Sequence, residues 1–142
     1  MKESPIFIKT YETMVWVLQH TRKFPKEQRF LMAKRFEDGF LDFYERINQA
    51  VKIKRQERQA LSEADRLLAN LKLYNRLSRD MKLLAFNQYE YLAAALDEIG
   101  RLLGGWMKSA QKNSPSGSRG QQRWGNGRID RSRVARGLVE QQ

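Results

Sequence analysis

The residues of this 142-residue chain that could carry chemistry are mostly basic, and few of them suit catalysis. His20 is the single histidine, which fits a surface or capping residue, and cysteine is absent. Neither a histidine pair for a metal nor a cysteine nucleophile can therefore be formed. Neighbouring carboxylates such as Asp97 and Glu98 point in different directions on a helix. We predict a protein that is not an enzyme and that uses no metal or other cofactor.

The excess of positive charge is the strongest signal in the composition. Lysine and arginine number 27 against 16 acidic residues, for a formal net charge of +11. Such an excess attracts polyanions through long-range electrostatics and counterion release. It favours nucleic acid as the partner, ahead of an acidic protein, a membrane surface or a purely solubilising role.

The chain changes character near Asn113. Up to residue 111 apolar residues recur at helical spacing, whereas 112–142 is rich in glycine, serine and arginine. Residues 1–111 contain 20 basic and 14 acidic residues, and 112–142 contains 7 basic and 2 acidic ones. We predict a helical domain over 1–111 and, over 112–142, an Arg/Gly-rich basic tail that is flexible or becomes ordered on binding.

The first of four predicted helices begins at Ser4 and Pro5, a good N-cap residue followed by one that suits the first helical position. It ends before Phe24, because the residue that precedes a proline avoids the α conformation. Its expected core stripe is Phe7, Tyr11, Met14, Val15 and Leu18.

The second predicted helix opens at Pro25 and carries heptad-like spacing. Its seam is Phe36, Phe40, Phe43, Ile47 and Ala50, widened by Leu41, Tyr44 and Val51. Gly39 inside this helix costs about 1 kcal/mol relative to alanine. We therefore expect a neighbouring helix to approach closely at that position.

Two further helices follow a polar stretch over 52–59. Ser62 with Asp65 predicts the start of the third, and Asn87 with Glu90 predicts the start of the fourth. The third helix has the seam Ala64, Leu67, Leu71, Tyr74 and Met81, broadened by Leu68, Leu77 and Leu84. The fourth has the seam Tyr89, Leu92, Leu96, Ile99, Leu103, Trp106 and Ala110.

The connections between these helices are short, and no useful length of sequence alternates as a β-strand would. Because short connections favour antiparallel neighbours, the sequence predicts an all-α fold, an antiparallel up-down-up-down four-helix bundle. No stretch approaches the roughly 20 apolar residues that span a bilayer, and the N-terminus lacks a secretory pattern. We expect a cytoplasmic protein without a membrane partner.

Basic residues on the third helix form the first candidate binding surface. Three share a face and the last drifts away from it: Lys72, Arg76, Arg79 and Lys82. Asp80 is the single acidic residue between 71 and 84, so the face is poorly neutralised. Phosphate or a partner protein suits such a face, although a solvated outer face has the same spacing.

The tail is the second candidate. It combines arginines with one tryptophan, as Arg119, Arg123, Trp124, Arg128, Arg131, Arg133 and Arg136. Guanidinium groups pair with phosphates, and both guanidinium and indole groups stack on bases. Arginine-rich segments often fold on RNA. A solvated tail and a tail that docks on a protein are the alternatives.

A glycine motif precedes Trp106 in the fourth helix. Gly100 and Gly104 lie one above the other, and Gly105 follows. Glycine is a poor helix former, so three in one segment need a packing reason. We predict that this motif serves helix packing or an oligomer interface, with Trp106 either in the core or in that interface.

Several of these segments together resemble a known family. They are Glu98-Ile99-Gly100-Arg101-Leu102-Leu103-Gly104-Gly105-Trp106-Met107-Lys108, Glu63-Ala64-Asp65, Leu71-Lys72, Arg76-Leu77 and Phe24-Pro25. The family is that of four-helix bundles that includes the intervening-sequence proteins of bacterial 23S ribosomal RNA genes and the accessory variability determinant (Avd) of diversity-generating retroelements. The resemblance covers roughly residues 5–110 and leaves the tail outside.

The resemblance implies a homopentameric barrel of four-helix bundles with no catalytic activity. Such a protein binds the retroelement's reverse transcriptase and its template RNA, or RNA–DNA, and supports mutagenic cDNA synthesis. The family's partner-binding basic positions correspond to Lys72, Arg76 and Arg101. The alternative is an orphan protein of the intervening-sequence type, an oligomeric protein-binding scaffold without a polymerase partner.

Overall fold

A computed structural model of the chain describes residues 4–112, and all regular secondary structure in this part is helical. Its elements are α1 (Pro5–Thr21), the single turn α2 (Lys26–Gln28), a π-helical turn (Arg29–Ala33), α3 (Lys34–Lys52), a 3-10 turn (Lys54–Gln56), α4 (Glu57–Asp80) and α5 (Phe86–Lys112). The predicted all-α class with four long helices is confirmed. The described residues up to Met107 form one compact unit, and the contacts below belong to it.

Helix α3 supplies the centre of the core. Its predicted seam is buried at every position, namely Phe36, Phe40, Phe43, Ile47 and Ala50. The expected close approach at Gly39 is also confirmed, because a Cβ there would lie 2.9 Å from Cδ2 of Leu71 on α4. Leu41 and Val51, which were predicted to widen the seam, are exposed.

The predicted core stripe of α1 is wrong at three of its five positions, while Phe7 and Met14 are half-buried. The buried residues are Ile6, Thr10, Thr13, Val17 and Thr21. Tyr11, Val15 and Leu18 are exposed instead. The Thr13 hydroxyl donates a 2.7 Å hydrogen bond to the Lys9 carbonyl, whereas the buried Thr10 hydroxyl has no partner among the described residues. A pattern that counts only apolar residues cannot find such a face.

The predicted cap of α4 is wrong as well. The helix begins at Glu57, so Ser62 and Asp65 lie within it. The cause is that the polar stretch is itself helical. The 3-10 turn leads directly into α4, and an ion pair of 3.0 Å between Lys54 and Glu57 links the two.

The core face of α4 also differs from the prediction. It consists of Ala60, Leu61, Ala64, Leu68, Leu71, Asn75 and Ser78. Leu77 and Met81, which the apolar pattern favoured, are exposed. Asn75 is accommodated because its Nδ2 donates a 3.1 Å hydrogen bond to the Tyr89 carbonyl at the start of α5.

Helix α5 begins at Phe86, so its N-cap residue is Ala85 and the predicted cap at Asn87 is two positions late. The backbone N–H of Ala85 donates to Oε1 of Gln88 at 2.9 Å, which is the returning half of a capping box. The predicted seam is buried at Leu92, Leu96, Ile99 and Leu103 and half-buried at Tyr89 and Trp106.

Side-chain contacts connect the four long helices in sequence and join the last to the first. The ring pairs are Phe7–Tyr44 between α1 and α3, Phe36–Tyr74 between α3 and α4, and Trp16–Tyr91 between α5 and α1. Within residues 4–112, no helix combines the length and the apolar character needed to cross a bilayer.

Candidate nucleic-acid interface

Lys72, on the basic face of α4, reaches across to α5. Its Nζ lies 3.2 Å from Oδ1 of Asp97. A Cβ on Gly100 would lie 3.8 Å from that Nζ and 3.5 Å from Cδ2 of Leu68. Gly100 therefore lies beneath the Lys72 side chain where that side chain crosses from α4 to α5. The ion pair between Lys72 and Asp97 is partly exposed.

Arg79 forms a small stack at the end of α4. Its Nε donates a 2.9 Å hydrogen bond to Oδ1 of Asp80, and its guanidinium lies 4.6 Å from the centroid of the Tyr89 ring. The hydrogen bond raises the pKa of Arg79 and lowers the pKa of Asp80, to which the charge of Arg76 also contributes. Exposed pairs of this kind contribute little to stability, so Arg79 can exchange its carboxylate for a phosphate.

The other two predicted cations point outward. Arg76 on α4 and Arg101 on α5 are exposed, and neither forms an ion pair with another residue between 4 and 112. The α4 face therefore contains one outward cation, Arg76, between two that have carboxylate partners, Lys72 and Arg79. Anion binding at Lys72 or Arg79 has to compete with those partners.

The glycine motif shows two different environments. Gly100 is packed as described above, whereas a Cβ on Gly104 or Gly105 would meet no atom within 4 Å. Contacts within the described bundle thus give these two glycines no packing role. Their place in an oligomer interface stays a prediction.

Trp106 is half-buried and its indole Nε1 donates a 2.9 Å hydrogen bond to Oε2 of Glu57. Its ring centroid lies 6.2 Å from that of Phe7 on α1. Trp106 therefore joins the end of α5 to the start of α4 and to α1. Sequence reasoning missed Glu57, because nothing in its spacing marks it as the partner of a residue 49 positions away.

The predicted tail residues are Arg119, Arg123, Trp124, Arg128, Arg131, Arg133 and Arg136, and they lie outside the residues that the structure describes. Between residues 4 and 112, no group of three or more histidine, aspartate or glutamate side chains is arranged to hold a metal ion.

Residues 6–110 match the family model described as bAvd-like. The matched range contains Lys72, Arg76, Arg79, Arg101 and the glycine motif, and it ends before the tail. Comparison with curated protein sequences finds no match.

Proposed function

The chain belongs to the bAvd-like family, and on that basis we propose that it is an Avd-type accessory protein. In this proposal it is a non-catalytic subunit of a diversity-generating retroelement. It binds a reverse transcriptase and the template RNA, or RNA–DNA, and supports mutagenic cDNA synthesis in the cytoplasm. The observation that carries the proposal is the match over residues 6–110.

Nucleic-acid binding is the part of the proposal that charge supports. The net charge is +11, and Arg76 and Arg101 project from neighbouring helices without a carboxylate partner among residues 4–112. Cations held outward on rigid helices suit phosphate contacts, which position a nucleic acid without reading its bases. Arg79 adds a guanidinium that its exposed ion pair releases readily.

Assembly is a further part of the proposal. We propose an up-down-up-down bundle that assembles into a homopentameric barrel. The ring contacts that join α1 to both α3 and α5 support the bundle. Exposed apolar side chains on α1 support the assembly, because a patch of this kind marks an interaction surface. They are Ile8, Tyr11, Val15 and Leu18.

Co-purification tests this function directly. Tagged full-length chain would be expressed together with the reverse transcriptase and the template region of its own genome, and the bound protein and RNA identified. We expect both to be recovered, with less of each after Arg76→Glu and Arg101→Glu. A matched control is Arg55→Glu with Arg58→Glu, which reverses two exposed arginines elsewhere on the bundle. Recovery of neither partner with a folded wild-type chain would contradict the proposal.

The scaffold alternative draws on one observation. Lys72 and Arg79 each have a carboxylate partner within the chain, which reduces the charge that α4 offers to phosphate. A scaffold predicts oligomers that bind no RNA even at low salt. An accessory protein predicts RNA binding whose affinity falls steeply as salt rises.

A further inference from the structure

The two connections at one end of the bundle lie beside each other. Phe24, between α1 and α2, and Leu84, between α4 and α5, line the same narrow apolar cleft. The helix residues that complete this cleft are Trp16, Val17, His20, Thr21, Phe36 and Leu92. The connections 22–33 and 81–85 therefore come together at Phe24 and Leu84, although they are far apart in sequence.

Positive charge is concentrated at this end. We call the basic pole the five exposed cations of the two connections, Arg22, Lys23, Lys26, Arg29 and Lys82. Glu27 is the single acidic residue of the two connecting segments. None of the five cations forms an ion pair with another residue between 4 and 112. The pole thus offers more unpaired charge than the α4 face.

Exposed aromatic rings accompany these cations. Phe30, on the π-helical turn, is 78% exposed, and Phe86, at the start of α5, is 62% exposed. The Phe86 ring centroid lies 5.9 Å from that of Tyr89, over which the Arg79 guanidinium is placed. The two rings are tilted by 37°, and the exposed Phe86 ring forms the outer end of this aromatic cluster, where it can accept a further flat group.

Lys82 occupies a backbone conformation that favours glycine. Its φ is 62°, the one positive value among the described non-glycine residues. The surrounding hydrogen bonds form a Schellman motif, with Leu83 N–H donating to the Ser78 carbonyl at 2.8 Å and Lys82 N–H to the Arg79 carbonyl at 3.1 Å. A lysine at this C′ position is strained, and strained residues often belong to functional sites.

We propose that the basic pole, together with Phe30 and Phe86, binds single-stranded nucleic acid. The cations contact phosphates, and the two phenylalanine rings stack on unpaired bases. The cations alone would bind a duplex equally well. The exposed phenylalanine rings add affinity only when bases are unpaired and free to stack on them. The inference rests on the proposed nucleic-acid function and assigns it to a surface distinct from Lys72, Arg76 and Arg101.

Two matched triple variants test the cations. Arg22→Ala, Lys23→Ala and Arg29→Ala remove three charges at the pole, and Lys52→Ala, Arg55→Ala and Arg58→Ala remove three exposed charges elsewhere. Binding of the full-length chain to an unstructured fluorescent single-stranded RNA would be measured at several salt concentrations. We expect the pole variant to lose on the order of tenfold in affinity and its salt slope to fall by about 2, and the control to change little.

The results of this binding experiment distinguish failure of the basic pole as the site from failure of the proposed function. Equal losses in both triples would overturn the pole as the site while leaving the proposed function intact. A wild-type chain that binds no RNA at low salt would overturn both.

Two further variants test stacking and strain. Phe30→Leu with Phe86→Leu retains apolar surface and should weaken single-strand binding about tenfold, without changing the binding of a duplex of equal length. Lys82→Gly should raise the Tm and weaken single-strand binding. The inference fails if the double phenylalanine variant changes single-strand and duplex affinity equally. It also fails if Lys82→Gly raises the Tm without changing the affinity for single-stranded RNA.

Discussion

The indole Nε1 of Trp106 donates a 2.9 Å hydrogen bond to Oε2 of Glu57, and this contact joins the glycine motif to the first turn of α4. The Glu57 side chain is only 13% exposed, and its Oε1 pairs with Lys54 at 3.0 Å. The carboxylate therefore uses both oxygens to hold α5 and the 3-10 turn against the start of α4.

Replacing Trp106 with phenylalanine should lower the free energy of unfolding by about 1–2 kcal/mol, because a charged, mostly buried acceptor loses its donor. Denaturant unfolding measures the change. A double-mutant cycle with Glu57→Leu, which removes the acceptor, separates the hydrogen bond from the loss of ring area. Strictly additive effects in that cycle would refute a direct coupling between the two residues.

Stability should depend on pH through Glu57. Burial acts to raise its pKa, but the hydrogen bonds from Trp106 and Lys54 and the lysine charge outweigh burial, so the pKa lies below the usual 4.5. Since the folded pKa is the lower one, ionised Glu57 stabilises the fold above pH 4.5. This contribution is lost as the pH falls through the lowered pKa.

The gap in unfolding free energy between wild type and Glu57→Gln should therefore be largest near neutral pH and should shrink in acid. Denaturant titrations at pH 7 and at pH 3 give the two gaps. A gap of equal size at both values would show that ionisation of Glu57 does not stabilise the fold.

The inward threonines of α1 should respond differently to removal of their hydroxyls. The Thr10 hydroxyl is buried and has no hydrogen-bond partner among the described residues, whereas that of Thr13 bonds to the Lys9 carbonyl. Thr10→Val should raise the free energy of unfolding by about 1 kcal/mol. Thr13→Val is the matched control and should bring no gain. Thermal unfolding distinguishes them, and equal shifts would contradict the assigned environments.

Glycines at two positions should tolerate alanine differently. At Gly39 the added Cβ would meet fully buried Leu71 at 2.9 Å, so Gly39→Ala should cost about 1–3 kcal/mol. At Gly104 nothing lies within 4 Å, so Gly104→Ala should add about 1 kcal/mol of helix propensity. Denaturant unfolding measures the change in unfolding free energy for both variants. A Gly39→Ala variant as stable as wild type would show that Leu71 moves aside freely.

Apolar spacing predicted the helices best where the core is made only of apolar residues. The α3 seam from Phe36 to Ala50 is buried as expected. Prediction failed where small polar residues face inward, as Thr10 does on α1 and as Asn75 and Ser78 do on α4. Asn75 has a hydrogen-bond partner for its Nδ2, and Thr10 and Ser78 are small enough to fit the core without one. An apolar count assigns all three to the surface.

The candidate site was predictable only in part. Lys72, Arg76 and Arg79 were found because a helical repeat aligns them along α4. The basic pole was missed because its cations come from two connections, and only the fold brings Arg22 and Lys82 to the same end. Two of the cations that the repeat did find, Lys72 and Arg79, have carboxylate partners that spacing does not reveal.

In the proposed function, this non-catalytic chain enables a reverse transcriptase to copy RNA. The most direct test is cDNA synthesis by the reverse transcriptase of the same genome on its own template RNA, with and without the full-length chain. We predict abundant cDNA only when the chain is present, and none from the chain alone. Equal cDNA yield and equal mutation frequency in its absence would contradict the account.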